Sequence, residues 1–162
     1  MARRVPEDQV SLRDKLHIAL QRAESVDGDS VEAQTLRLIL CAVDDRDTMA
    51  RQKGECSGCP EAAMRDLLET MAAQREISAR EYEDAGQIED AERERAELEV
   101  ITSFLPKKLE GDALERAVQQ VVDDLEASRL KDLGRCMKAL KQRYPGQIET
   151  GTAGKAVRAA LG

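Results

Sequence analysis

The chain has 162 residues, of which 41% are hydrophobic, enough for the core of one ordinary domain or of two small ones. It holds no Trp, two Tyr and one Phe, so the core must be built from Leu, Ile, Val, Ala and Met, which favours helices over sheets. The formal net charge of −7 argues against indiscriminate adhesion to nucleic acid or anionic membrane, because the field of the whole chain repels phosphate.

Two helices are predicted before residue 54. Ser11 and Asp14 form a capping-box pattern ahead of the first helix, which should end near Val26. Ser30 can cap the second helix, which should run to about Lys53. Both helices carry apolar residues at helical spacing, namely Leu12, Leu16, Ala19, Leu20 and Ala23 in the first and Leu36, Ile39, Leu40 and Val43 in the second.

A long αα-hairpin is predicted next. Pro60 is a good first helical residue, and the helix that follows should run to Ala85 and stop at Gly86. A fourth helix then folds back from Gln87. Its inward stripe is predicted to be Ile88, Ala91, Leu98, Ile101 and Leu105.

The outer surface of this hairpin is predicted to be acidic. Because Glu89 and Arg93 form a favourable i, i+4 pair, we interpret the acids as a solvated charged face rather than as catalytic carboxylates or a metal cage. The acids are Glu81, Glu83, Asp84, Glu89, Asp90, Glu92, Glu94, Glu97 and Glu99.

A CxxC motif, Cys56 and Cys59, lies between the second and third helices. Such a pair is compatible with half of a zinc site, with a reversible disulfide or with two reduced loop thiols. Cys41 and Cys136 could complete four zinc ligands, but their spacing gives no support for convergence. We therefore expect reduced thiols and no metal site.

A domain boundary is predicted at Pro106, which divides the chain into an N-terminal helical domain, 1–105, and a C-terminal three-helix domain, 106–162. Gly111 or Asp112 opens the fifth helix, and Thr150 or Thr152 can cap the last. The fold class is therefore all-α, with two helical lobes. Three groups of apolar residues are predicted to face inward: Leu114, Val118, Val121, Val122 and Leu125; Leu130, Leu133, Met137, Leu140 and Tyr144; and Ala153, Ala156, Val157, Ala160 and Leu161.

The charge is distributed unevenly along the chain. Residues 128–161 hold eight basic side chains against two acidic ones, about +6, whereas residues 1–127 hold 17 against 30, or −13. The cations of the tail are predicted to lie away from its apolar stripes, on one basic surface. These candidate nucleic-acid-binding residues are Lys131, Arg135, Lys138, Lys141, Arg143, Lys155 and Arg158.

No catalytic motif is found. GlyThrAlaGlyLys at 151–155 lacks the earlier glycine of a phosphate loop, where this chain has Glu149, and no strand precedes it. Its backbone N–H groups could still hold one phosphate at the start of the last helix, with a flexible cap as the alternative. We expect no catalytic residue and no cofactor.

The tail also carries a family resemblance. LysAspLeuGly at 131–134, followed by Arg135, Met137, Lys138 and Leu140, and then by Gly151, Gly154, Lys155, Val157 and Leu161, resembles the carboxy-terminal motif of the GatB/YqeY family. ThrLeuArgLeuIleLeu at 35–40, GlnArgGlu at 74–76, GluTyrGluAspAlaGly at 81–86 and PheLeuProLysLysLeu at 104–109 stand in that family's order. The family includes free-standing proteins and the tail of the B subunit of tRNA-dependent amidotransferase.

The resemblance implies a tRNA-gripping module, with any carbon–nitrogen ligase chemistry that uses glutamine as amido donor performed by another subunit. With few aromatics, the tail would recognise structured RNA by shape and backbone charge. The alternative is a protein-interaction adaptor that uses the acidic hairpin of the N-terminal lobe. No apolar run approaches 18 residues and no signal-peptide pattern is found, so we expect a cytoplasmic protein without a membrane partner.

Overall fold

The computed structural model describes residues 10–162, and within them every regular element is helical. The all-α prediction is therefore confirmed. The chain divides into two compact units, of which the first ends at Leu105 and the second is Pro106–Gly162. The helices are α1 (Leu12–Val26), α2 (Val31–Gln52), α3 (Glu61–Asp84) and α4 (Ile88–Thr102) in the first unit, and α5 (Gly111–Asp124), α6 (Leu133–Arg143) and α7 (Thr150–Leu161) in the second.

Local signals set the ends of the helices in the first unit. The Ser11 hydroxyl accepts a hydrogen bond from the Asp14 backbone N–H, and Ser30 caps α2 in the same way, as predicted. α3 begins at Glu61, one residue later than predicted, so Pro60 precedes the helix instead of being its first residue. The hairpin reverses at Gly86, whose φ of +73° is a conformation that glycine adopts without strain.

The core of the first unit is formed by the apolar faces of all four helices. α3 packs along α4, while α2 contacts α1, α3 and α4. Leu16, Leu36, Ile39 and Leu68 are among its fully buried side chains. Burial of this kind is the main stabilising contribution to a helical unit.

Two residues of α4 contradict the predicted pattern. Ile88 is 56% exposed although it was placed on the inward stripe, and Glu97 is buried although it was placed among the solvated acids. Arg93 pairs with Glu97 rather than with Glu89, at 3.5 Å. A cation from the neighbouring helix supplies the physical reason, because Arg75 Nε lies 3.0 Å from Glu97 Oε2 and compensates the buried carboxylate.

In the second unit, α5, α6 and α7 each contact the other two. Their shared core contains Val118, Val121, Cys136, Leu140 and Val157. α6 ends at Arg143, and the chain turns through Tyr144-Pro145-Gly146, where Pro145 cannot continue the helix and Gly146 adopts φ +74°.

Two predicted core positions of the second unit are wrong. Leu130 lies in a short 3-10 turn, Leu130–Asp132, that precedes α6, and it is 61% exposed. The tighter turn changes its direction relative to the α-helical stripe on which it was placed. Ala160 is also exposed, although helical spacing places it only about 60° from the buried Val157.

Candidate nucleic-acid interface

The seven predicted cations all have exposed positions in the second unit. Their backbone is fixed by the core on the other side of each helix. In α6, burial of Cys136 and Leu140 turns Arg135 and Lys138 outward; in α7, burial of Ala153 and Val157 does the same for Lys155 and Arg158. Lys131 belongs to the 3-10 turn rather than to the helix on which it was predicted.

Helix geometry divides these cations into two strips. Arg135, Lys138 and Lys141 follow at three-residue steps, so successive side chains are offset by about 60° around α6. Lys155 and Arg158 have the same offset on α7. Arg143 is about 140° from Lys138 and therefore does not share its face. We call the first group the α6 strip and the second the α7 strip.

Two of the arginines are engaged by neighbouring groups. Arg143 forms an ion pair with Asp124, with Nη1 2.6 Å from Oδ2. Arg135 donates to the Leu125 carbonyl oxygen at 3.1 Å and approaches Asp132 Oδ1 at 3.3 Å. These contacts reduce the charge that either arginine can offer to a phosphate, although exposed pairs of this kind are weak.

The other five cations make no ion pair with any carboxylate of residues 10–162. Their charges are therefore uncompensated at short range, on a unit whose eleven basic and eight acidic residues sum to +3. These cations are Lys131, Lys138, Lys141, Lys155 and Arg158.

The start of α7 is occupied by the chain itself. The Glu149 carboxylate accepts hydrogen bonds from the Gly151 and Thr152 backbone N–H groups, so Glu149, and not Thr150 or Thr152, is the cap. The hydrogen bond from the Thr152 side chain, with those two backbone bonds, lowers the pKa of Glu149 to about 2. The negative Glu149 carboxylate therefore already binds the backbone N–H groups that the sequence suggested for a phosphate.

A further basic segment was missed by the sequence analysis. The Leu109 backbone N–H donates to the Gln147 carbonyl oxygen at 2.8 Å, which holds the end of the 106–109 segment against the turn between α6 and α7. The charge of Lys108 there helps to lower the pKa of Glu149. The consecutive Lys107 and Lys108 were the sequence signal for this basic segment, but residues 104–109 were interpreted only as a domain boundary and as part of the family motif.

The CxxC loop of the first unit is held by a buried aspartate. Asp47 accepts two hydrogen bonds from the Arg13 guanidinium, at 2.7 and 2.8 Å, and one from the Cys59 backbone N–H at 2.8 Å. The Arg13 hydrogen bond is the largest cause that lowers the pKa of Asp47, while burial raises the pKa of the Cys59 thiol. A thiol whose pKa is raised in this way is a poor nucleophile.

Asp47 is thus a structural anchor that the sequence analysis missed. Its position continues the apolar spacing of Leu40 and Val43, which was the available signal for burial. The cysteines are free, with Cys56 exposed and Cys59 buried. Within residues 10–162 no group of His, Cys, Asp and Glu side chains is arranged to hold a metal ion.

Arginines link the carboxylates of the hairpin. Arg75 contacts both Glu94 and Glu97, at 3.3 and 3.0 Å, and Arg95 pairs with Glu83 across the two helices. These carboxylates are therefore ion-paired between α3 and α4, although Glu97 Oε2 accepts no hydrogen bond from residues 10–162. The acids nearest the turn remain exposed.

Comparison with known proteins places the chain in a family. The model of the family described as Yqey-like protein matches residues 12–161, which is nearly the whole chain and includes both units. No curated protein matches the chain. None of the helices in the described residues is both long and apolar enough to cross a membrane. The chain therefore belongs to the YqeY-like family.

Proposed function

We propose that the second unit binds structured RNA, such as tRNA, and that the protein has no catalytic site of its own. The observation that carries this proposal is the set of five exposed cations without carboxylate partners in residues 10–162. Two of them lie on the α6 strip, two on the α7 strip and one in the preceding turn. Phosphate contacts of this kind supply most of the sequence-independent affinity for nucleic acid.

The proposed recognition depends on charge and shape. Tyr144 is the single aromatic residue of the second unit, and it is half-buried against the core of that unit. It cannot serve as a platform on which several splayed bases stack. A folded RNA with a defined backbone geometry is therefore a better ligand than a flexible single strand.

Charge also favours a local contact. The second unit carries +3, whereas the rest of the chain has 14 basic and 24 acidic residues, a net charge of −10. An RNA backbone is repelled by the acidic part and attracted to the two basic strips. In this proposal the protein works in the cytoplasm and holds RNA, while a separate carbon–nitrogen ligase that uses glutamine performs any chemistry.

The test is a titration of labelled tRNA at about 50 and 200 mM salt. If the five unpaired cations each neutralise one phosphate, log K should fall with log salt with a slope of about −4, an affinity loss on the order of 10² over this interval. The variant Lys131→Glu, Arg135→Glu, Lys138→Glu should abolish binding, because it replaces three cations with charges that repel phosphate. It should not unfold the chain, because these exposed side chains lie away from the core.

A matched control reverses three exposed arginines of the first unit, Arg22, Arg46 and Arg51, to glutamate. It makes the same change in net charge, and these side chains form no ion pair within residues 10–162. Affinity should stay within a few-fold of the original protein. Equal losses in both variants would attribute the effect to net charge alone, and undiminished binding by the first variant would refute the proposed site.

A second candidate function is favoured by one observation on the hairpin. Ile77 and Ile88 are 57% and 56% exposed beside the acids of α3 and α4. We propose, as the alternative, that the hairpin docks a basic partner protein. The double variant Ile77→Ser, Ile88→Ser should then abolish recovery of that partner from extract while leaving tRNA affinity unchanged; equal recovery by both proteins would exclude this surface.

A further inference from the structure

Leu130 is the one large apolar side chain of Pro106–Gly162 that is mostly exposed, at 61%. It lies between Arg129 and Lys131, which are exposed as well. Neither cation makes an ion pair with a carboxylate of residues 10–162. The short 3-10 turn thus presents apolar surface with a positive charge on either side.

The turn that carries Leu130 is fixed by hydrogen bonds. The Asp132 backbone N–H donates to the Arg129 carbonyl oxygen at 2.8 Å, and the Ser128 N–H donates to Asp132 Oδ2 at 3.4 Å. Arg135 adds a bond to the Leu125 carbonyl oxygen at 3.1 Å. A contact made by a segment held in this way loses less conformational entropy on binding.

Burial on both sides of the turn keeps Leu130 outward. Ala127 is buried before it, and its N–H donates to the Val122 carbonyl oxygen at 3.0 Å. Leu133 packs against the same core after it. Between these two residues Leu130 lies outside the core, so its apolar surface is available to a ligand.

Apolar surface between two positive charges matches the chemistry of a nucleotide, which joins an apolar base face to anionic phosphates. In a continuous A-form duplex the base faces are stacked on one another, whereas loops and bulges expose them. We propose that Leu130 packs on an exposed base face in a loop of the structured RNA, and that Arg129 and Lys131 contact the flanking phosphates. This inference rests on the proposed function.

This proposal separates two contributions to RNA binding. The cations contact any phosphate backbone, whereas Leu130 contacts only RNA whose bases are accessible. Covering roughly half of the exposed surface of Leu130 would increase affinity about tenfold. Through this contact the protein would bind a folded RNA with loops more tightly than a plain duplex. It would do so without aromatic side chains on which the bases stack.

The test compares Leu130→Ala with the original protein on two probes, a tRNA transcript and a blunt RNA duplex with the same number of phosphates. We expect about tenfold weaker binding of the transcript, unchanged binding of the duplex and an unchanged salt slope, because an apolar contact releases no counterions. Leu130→Met, which keeps apolar surface, should retain most of the affinity. Leu38→Ala, at a 50% exposed leucine of α2, is the matched control and should change neither affinity.

The outcomes distinguish this inference from the proposed function. If Leu130→Ala binds both probes like the original protein while the triple charge reversal abolishes binding, the role of Leu130 is refuted and the basic site stands. Equal weakening of both probes by Leu130→Ala, with its circular dichroism unchanged, would refute the contact with a base face. Absence of binding by the original protein would refute the proposed function, and this inference with it.

Discussion

Replacing Asp47 should destabilise the first unit, and the structure sets the size of the effect. The Asp47 side chain is 7% exposed and holds both Arg13 and the Cys59 backbone N–H, whereas the Arg13 side chain is 30% exposed. Asp47→Ala leaves the Cys59 N–H without this acceptor, a loss of about 1–3 kcal/mol. Because the partly exposed Arg13 can be solvated when Asp47 is removed, the cost of leaving its charge unpaired should be smaller than the 3–5 kcal/mol that is typical of a fully buried pair.

We therefore expect Asp47→Ala to lower the free energy of unfolding by about 2–4 kcal/mol. Asp47→Asn keeps an oxygen for the Cys59 N–H but loses the charge that faces Arg13, so its effect should be intermediate. The assay is urea unfolding followed by circular dichroism, with calorimetry to separate transitions of the two units.

Asp45→Ala is the matched control, because Asp45 is an exposed aspartate on the same helix and its loss changes the net charge equally. Its effect should stay below about 0.5 kcal/mol. If Asp47→Ala were no more destabilising than this control, the reasoning about the buried anchor would be refuted.

The pH dependence follows from the direction of the pKa shift. Folding lowers the pKa of Asp47 below its ordinary value of 3.8, mainly through the Arg13 hydrogen bond. Its stabilising contribution is fully present above that value and is lost as the pH falls below it. The stabilities of the original protein and Asp47→Ala should therefore converge in acid; a constant difference down to low pH would contradict the assigned pKa shift.

Two further predictions concern the loop and the last helix. Gly58→Ala should destabilise the protein more than Gly54→Ala. Both glycines have a positive φ, but only at Gly58 would the new Cβ atom lie 2.7 Å from Asp47 Oδ1. Equal losses of stability in urea unfolding would contradict this clash. The Glu149→Gln variant should be less stable than the original protein above pH 4.5. This difference in stability should disappear as the pH falls from 4.5 toward about 2, the lowered pKa of Glu149. A difference in thermal midpoint that does not change with pH would show that the carboxylate charge does not stabilise this cap.

Features that depend on neighbours along the chain were predictable from the sequence. The caps at Ser11 and Ser30 and the reversal at Gly86 involve residues within one helical turn, so the residue types nearly suffice to predict them. The all-α class follows from helical spacing and from the scarcity of aromatic and strand-forming residues. The family motif was recognisable for the same reason, as a pattern in order along the chain.

The candidate interface was predicted in part. Sequence spacing identified exposed cations on α6 and α7, but it could not show that Arg143 is paired with Asp124 of α5. It also could not show that α7 begins at Thr150 and is capped by Glu149, because Thr150 and Thr152 are the more usual capping residues. The observed cap depends on where the preceding turn ends.

What the sequence by itself determined is the set of helices, their approximate ends and the basic character of the tail. The tertiary structure decided which exceptions to the hydrophobic pattern are stable: Asp47 and Glu97 are buried, and Leu130 is exposed. A buried carboxylate requires a cation that lies close in space, here Arg13 on α1 and Arg75 on α3. Periodicity along one helix contains no information about such partners, because the packing of separate helices brings them together.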